Sequence, residues 1–157
     1  MSAIIIGCDP GKTGALAAID QDGNLHDTWD MPVVGKVVAA PLLADIFVPL
    51  QRVAEVCVIE DVHSSPQMGV TSAFSFGRAL GALEGVALGA NIPVRFVSPR
   101  RWKRALGLSP DKELSRRRAI ELWPAQSAMF ARKMDADRAE AALIAYWWLH
   151  FGERAPK

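Results

Sequence analysis

Residues 4–24, IIIGCDPGKTGALAAIDQDGN, decide the fold. The run 3–8 is β-branched and nearly all apolar, the pattern of a central strand buried on both faces. It runs into Gly7-Cys8-Asp9-Pro10-Gly11-Lys12-Thr13, which at first sight is a phosphate-cradling loop. Such a loop needs a glycine, four spacers and then Gly-Lys-Ser/Thr, so that enough backbone N–H groups curl around the phosphates. Here only Cys8, Asp9 and Pro10 separate Gly7 from Gly11, and proline has no N–H to give. No nucleotide cofactor is therefore expected. Lys12 and Thr13 read as turn residues, with Gly11 and Gly14 supplying permissive backbone. The odd residue is Asp9: a carboxylate ending a buried strand is costly unless it is paired, and an N-cap or Asx-turn is the alternative use.

Working outward, residues 14–19 suit strand or helix by composition, but Asp22-Gly23 is a hairpin signal and 24–31 alternates up to Pro32, so a three-stranded meander is expected. Residues 37–52 have helical apolar spacing, with Pro41 tolerable in a first turn and Pro49 marking a late break or kink. A second buried strand, 55–61, ends in two acids. Residues 71–90 read as a helix with Phe74, Ala79, Leu83 and Val86 on its apolar side. Gly77, Gly81, Gly85 and Gly89 form a small-residue stripe on it, open to a neighbouring helix or to a second subunit. A short strand, 94–98, precedes a helical segment ending at Gly107. Next comes a helix with Ser109 as cap, Pro110 at its first position and Pro124 as its stop. The last helix covers 135–150 with Asp135 as a candidate N-cap. This order predicts an α/β fold with a mixed sheet and helices on its faces, in one domain spanning 1–157. Cys8 and Cys57 each fall in an apolar strand and read as core thiols.

Asp9 is not alone. Glu60 ends the second apolar strand in the same way, and two acids at adjoining strand ends repel unless a cation lies between them. Asp137 and Glu140, three apart, share one face of the last helix, where first-turn acids also serve as simple helix stabilisers. Arg138 is available to offset one of these charges. Four carboxylates from three elements, without histidine, suit Mg²⁺ or Mn²⁺ rather than zinc. Such clusters hold two ions about 4 Å apart in enzymes that hydrolyse phosphodiesters.

The net charge of +1 conceals a division. Residues 1–94 carry 4 basic and 10 acidic side chains, whereas 95–138 carry 12 basic and 5 acidic. A basic lobe points to a polyanionic partner, or to cations that merely solvate helix faces. No apolar stretch is long enough to span a membrane and no signal peptide is evident, so a cytoplasmic location is expected.

IIIGCDPGKTGALA, VIEDV and DRAEAALIA, in that order, resemble the first strand, the acid-ending fourth strand and the C-terminal acid pair of RuvC-type Holliday junction resolvases in the RNase H-like superfamily. PQMGVTSAFSFGRALGALEG and VSPRRWKRALGL resemble the phage-encoded branch, and the likeness covers about residues 3–148. The resemblance implies an RNase H-like mixed five-stranded sheet with helices on both faces. It also implies a homodimer and paired nicks across four-way or other branched DNA, with Mg²⁺ or Mn²⁺, two ions per site. Carried over by position, Asp9, Glu60, Asp137 and Glu140 match the catalytic, metal-binding carboxylates. Glu140 departs from the usual Asp, and some phage relatives place an acid nearer Asp135. Arg100, Arg101, Lys103, Arg104, Lys112, Arg116, Arg117 and Arg118 resemble the phosphate-binding surface, and His63 falls in the loop where bacterial members carry a wedging aromatic. His63 either stacks on a base, assists a proton transfer or is a solvated loop residue; Trp102 is read as an anchor to the core rather than a stacking platform. The other readings are a broader branched-DNA or RNA-processing nuclease of the same superfamily, and an inert nucleic-acid-binding module.

Overall fold

The computed structural model describes residues 2–153. Strands β1 (Ile4–Asp9), β2 (Ala15–Asp20) and β3 (Leu25–Asp30) form the expected antiparallel meander. A two-stranded hairpin follows, β4 (Val33–Val34) with β5 (Val37–Val38), and then helix α1 (Ala40–Leu50). Strand β6 (Ala54–Glu60) returns beside β1 in parallel. Helix α2 (Val70–Gly89) leads to β7 (Val94–Val97), which pairs in parallel with β6. Helices α3 (Pro99–Ala105), α4 (Lys112–Leu122) and α5 (Ala136–Phe151) complete the chain, with 3₁₀ segments at Pro124–Phe130 and Lys133–Asp135 between the last two. The main sheet has five strands in the order β3-β2-β1-β6-β7, with helices on both faces.

Every residue of β1 and β2 is buried, because alternate side chains serve two cores. Ile5, Ala17, Ile19, Val56 and Val58 face α5 and the elements around it. Ile4, Ile6, Cys8, Leu16, Cys57 and Ile59 face α1 and α2. The two thiols, 3.5 Å apart, lie buried in that second core.

Several boundaries differ from the sequence reading. Residues 37–38 belong to the hairpin, whose turn uses Gly35 at φ +58°; two-residue strands are too short to show a period. Pro49, by contrast, falls in the last turn of α1, where the late break is expected. The cap of α4 is Asp111, whose side chain accepts from the Glu113 N–H, while Ser109 accepts from the Asp111 N–H and Pro110 stays outside the helix. Pro124 both stops α4 and opens a 3₁₀ segment. Asp135 does not cap α5; it is buried in the preceding turn and held by the Arg132 guanidinium and backbone N–H. On α2, Ala79 and Leu83 are buried but Phe74 is 68% exposed.

The close backbone approach is also not where the glycine stripe suggests. A Cβ on Gly77, Gly81, Gly85 or Gly89 would meet nothing within 4 Å among the described residues. On Gly7 it would lie 2.0 Å from the Ala141 carbonyl oxygen and 2.7 Å from the Ala145 nitrogen. Gly7 under Ala141 and Ala145 therefore lets α5 lie directly on β1, which brings the acids of α5 to the end of that strand.

Candidate active site

Asp9 and Glu60 are the last residues of β1 and β6, neighbouring parallel strands, so their side chains emerge at the same sheet edge. Ligand sites in open α/β sheets form beyond such carboxyl ends. The chain leaves Asp9 through Pro10 and reverses at once: Gly11 takes φ +106°, and Gly14 packs so tightly on the Asp9 carbonyl that a Cβ would lie 2.0 Å from it. This turn is built for compactness rather than for cradling phosphate. From α5, Glu140 reaches the same edge and is 2% exposed, while Asp137 lies one turn earlier in the first turn.

Carboxylate oxygens of Asp9, Glu60 and Glu140 all lie within 4.8 Å of one another. Asp137 is not one of this group of three, but it is joined to it through Lys112, which donates to Asp137 and lies 3.5 Å from Asp9 Oδ2. Three of the four acids singled out from the sequence therefore converge, with the fourth beside them. Asp135 does not join them, its charge being spent on Arg132, and Arg138 serves Asp30 at 2.7 Å rather than either helix acid.

The sequence reading assigned Lys103 and Lys112 to a phosphate-binding surface; in the structure they also reach the acids. Lys103 Nζ donates to Glu140 Oε1 at 2.7 Å. Lys112 Nζ donates to Asp137 and lies 3.5 Å from both Asp9 Oδ2 and Glu140 Oε2. Two buried groups also donate to the acids. Ser115 Oγ donates to Glu140 Oε1 at 3.1 Å, and Trp102 Nε1 donates to Glu60 Oε2 at 3.1 Å. Trp102 is fully buried, the anchor expected of it. Lys112 and Ser115, three apart on α4, are one helix face, which is the one trace of this arrangement in the sequence.

The electrostatics follow from that geometry. Burial pushes the Asp9 carboxyl well above the ordinary aspartate value; Lys112 opposes the shift, and Glu60, Asp137 and Glu140 add to it. Glu60 is raised too, first by burial and then by Glu140, with the Trp102 hydrogen bond pulling the other way. Burial alone would depress the Lys112 ammonium, but Asp9, Asp137 and Glu140 outweigh it and hold the lysine above its usual value. Contact charges at an effective dielectric near 20 interact by about 4 kcal/mol. Lys112 therefore offsets much of the repulsion without removing it. The donor set, oxygen-only and convergent with residual negative charge, fits a hard divalent cation.

The other candidates are spread over the surface beside this edge. Helix α3 sends Trp102 inward and Lys103 to Glu140, and exposes Arg100, Arg101 and Arg104. Arg101 lies 5.3 Å from the Trp147 ring and 3.7 Å from Glu153. On α4, Arg116 pairs with Glu113 and donates to the carbonyls of Phe130 and Ala131, Arg117 approaches Glu113 at 3.5 Å, and Arg118 pairs with Glu121. Arg116 therefore braces the 3₁₀ segment against α4. His63 is exposed, 3.4 Å from Asp61, away from the four acids' contacts.

No family model and no curated protein sequence matches the chain. Among solved structures it is similar to Thermus thermophilus RuvC in complex with a Holliday junction substrate, with 20% identity, a TM-score of 0.70 and coverage of 96% of each chain. A second structure of Thermus thermophilus RuvC gives 21% identity and a TM-score of 0.67, covering 95% of this chain and 96% of that one. With its five-stranded mixed sheet and helices on both faces, the chain has the RNase H-like fold of RuvC.

Proposed function

We propose that the chain is a divalent-metal-dependent, structure-selective endonuclease that acts as a homodimer, resolving Holliday junctions and other branched DNA by paired phosphodiester hydrolysis. The observation that carries the reading is the convergence of Asp9, Glu60 and Glu140 oxygens within 4.8 Å, with Asp137 bridged to them by Lys112, at the carboxyl end of the sheet. The likeness in fold to a structure solved with a Holliday junction supports the choice of substrate. The phage-encoded branch rests on the motifs of α2 and α3 alone.

Asp9, Glu60, Asp137 and Glu140 would hold Mg²⁺ or Mn²⁺, two ions per site, whose chemistry is to activate water and to stabilise the leaving oxygen of the phosphodiester. The protein's own part is to keep these oxygens in place. Trp102 fixes Glu60 and Ser115 fixes Glu140, so neither carboxylate needs to reorganise when charge develops. Lys103 and Lys112 cancel part of the mutual repulsion and present ammonium groups where a phosphate must arrive. Glu140, a methylene longer than aspartate, has one oxygen, Oε1, held by both Lys103 and Ser115. Exposed Arg100, Arg101 and Arg104, with Arg117 and Arg118, extend the positive surface for duplex arms, and His63 stands on a loop able to meet unpaired bases.

The test is a nicking assay on labelled four-way junctions, forks, flaps and linear duplexes, in deoxyribose and ribose forms, with Mg²⁺ or Mn²⁺. Paired nicks in the junction, lost in Asp9→Asn, are expected; undiminished cleavage by Asp9→Asn would remove the assigned role, and cleavage of linear RNA in preference would change the substrate.

A further inference from the structure

Lys12, set aside by the sequence reading as a turn residue, lines a groove of about 570 Å³. One wall is a single face of α2, bearing Thr71, Phe74, Ser75, Arg78, Ala79 and Ala82 at helical spacing. The opposite wall is the β4–β5 hairpin, which presents Lys36 from the turn beside Gly35, with Val37 and Val38 along its strand.

Three properties define what the groove takes. Its lining includes three cations, Lys12, Lys36 and Arg78, and no acid. None of the three forms an ion pair with a described acid, whereas Arg116, Arg117, Arg118, Arg132 and Arg138 are all paired. The charge here is therefore uncommitted, and the complement it lacks is anionic. The second property is Phe74, an aromatic ring left 68% exposed with the Arg78 guanidinium 6.0 Å from its centroid. The third is position. Lys12 also lines a smaller cleft that includes Asp137, Thr13 and Gly14, so the groove opens from the same turn that carries Asp9 into the carboxylate cluster.

An anion with a flat apolar face, delivered beside a phosphodiester-cleaving site, is a nucleotide. The volume lies within the range of pockets that enclose a small organic group. We propose that this groove holds one unpaired nucleotide of the DNA strand adjoining the carboxylate cluster, its base against Phe74 and its phosphates on Lys12, Lys36 and Arg78. The hydroxyls of Thr71 and Ser75 face the base edge, and the aliphatic wall of Val37, Ala79 and Ala82 shields its other side. Stacking of this kind accepts any base, so the groove selects for an unstacked strand rather than for a sequence. The inference rests on the nuclease reading for the identity of the strand, but the binding itself requires no cleavage.

The test therefore uses fluorescence anisotropy in EDTA, with the full chain and a labelled oligothymidylate of about ten nucleotides. Phe74→Ala is expected to weaken single-strand binding about 5- to 100-fold, with Phe74→Tyr restoring most of it. Lys36→Ala and Arg78→Ala together should flatten the slope of log K against log salt by about 0.7 for each phosphate that is no longer neutralised. Arg52→Ala, which removes one exposed cation that does not line the groove, is the control for a general loss of positive charge. Wild-type-like affinity in Phe74→Ala, a slope in the double variant equal to that of Arg52→Ala, or no single-strand binding by the wild type would each overturn the proposal. Loss of binding to duplex equal to the loss for the single strand would reduce the groove to a phosphate rail and overturn the nucleotide pocket. Separate nicking assays keep the two readings apart. A wild type that nicks junctions, while the groove variants bind as it does, removes the groove and leaves the nuclease. Failure to nick any substrate, with single-strand binding abolished in Phe74→Ala, does the reverse.

Discussion

Replacing Gly7 by alanine tests how the site is assembled without touching a charged group. The added methyl would be 2.0 Å from the Ala141 carbonyl oxygen and 2.7 Å from the Ala145 nitrogen, both backbone atoms of α5 that no rotamer change can move. Relief requires the helix to retreat from β1 by more than about 1 Å, since contacts under 3.0 Å are not sustained. Ten side chains of α5 are buried, so the retreat loosens packing along its length. Overpacking of this kind costs about 1–3 kcal/mol, and the backbone nature of the clash argues for the upper end. For a chain of this size each kcal/mol moves Tm by about 2–4 °C, giving a fall of roughly 6–12 °C. The same displacement carries Asp137 and Glu140 away from Asp9, and a 1 Å misplacement in an active site costs about 10²-fold in rate. Thermal denaturation followed by circular dichroism, alongside junction nicking with Mg²⁺, reads both effects on one preparation. Gly81→Ala, whose methyl meets nothing within the described chain, is the internal control and should stabilise its helix by up to about 1 kcal/mol. A Gly7→Ala protein that melts and nicks like the wild type would refute the claim that α5 is seated through this glycine.

Asp9→Asn should abolish nicking yet raise the Tm of the metal-free protein by about 2–4 °C. Because burial raises the Asp9 pKa, the folded state holds its proton more tightly than the unfolded one; that stability is present at low pH and is lost as pH rises through the folded pKa, so the gap from the variant should widen as pH rises above about 4 in a melting series. Asp20 behaves oppositely: hydrogen bonds from Asn24, His26 and the Asp22 N–H outweigh its burial and lower its pKa to about 2. Its contribution, about 2 kcal/mol, is therefore complete above about pH 4 and disappears as pH falls through about 2, and Asp20→Ala should flatten acid denaturation over that window. Among the basic residues, Arg100→Ala with Arg104→Ala should weaken junction binding and its salt slope more than Arg117→Ala with Arg118→Ala, because the latter pair are partly neutralised by Glu113 and Glu121; anisotropy titrations across salt check the order.

Much of the fold was legible because burial leaves a compositional trace. An apolar run such as 3–8 has few places to go but the middle of a sheet, and an acid at its end is conspicuous against that background. Asp9 and Glu60 were therefore readable as a pair, and the helical spacing of Asp137 and Glu140 added the rest. What could not be read depends on through-space partners. The long lysine side chains of Lys103 and Lys112 look the same in sequence whether they point to solvent or cross to Glu140 and Asp137. Small-residue spacing is similarly mute: four glycines on α2 face nothing in the described chain, while a single Gly7 takes the closest helix contact. Asp135 and Asp137, two residues apart, are separated in function by Arg132, whose reach to Asp135 depends on a 3₁₀ turn that has no periodic signature.

The cluster also explains why this part of the chain is balanced as it is. Four carboxylates meet two ammonium groups, so the immediate site keeps an excess of negative charge even with Lys103 and Lys112 in contact. At about 4 kcal/mol for a contact pair, removing either lysine would leave repulsion that the fold must absorb, and adding a third cation from the protein would cut the excess to a single negative charge and weaken the attraction for a divalent ion. Rigid support is correspondingly placed on the carboxylates rather than on the lysines: Glu60 and Glu140 are buried and held by Trp102 and Ser115, while the Lys112 side chain remains 52% exposed. A buried set of acids with one half-exposed counter-charge is an arrangement in which that lysine can be displaced by a metal without repacking the core. The neighbouring turn adds Lys12, so the peptide that first looked like a nucleotide loop divides its labour, with Asp9 in the carboxylate cluster and Lys12 lining both the groove and the cleft that holds Asp137.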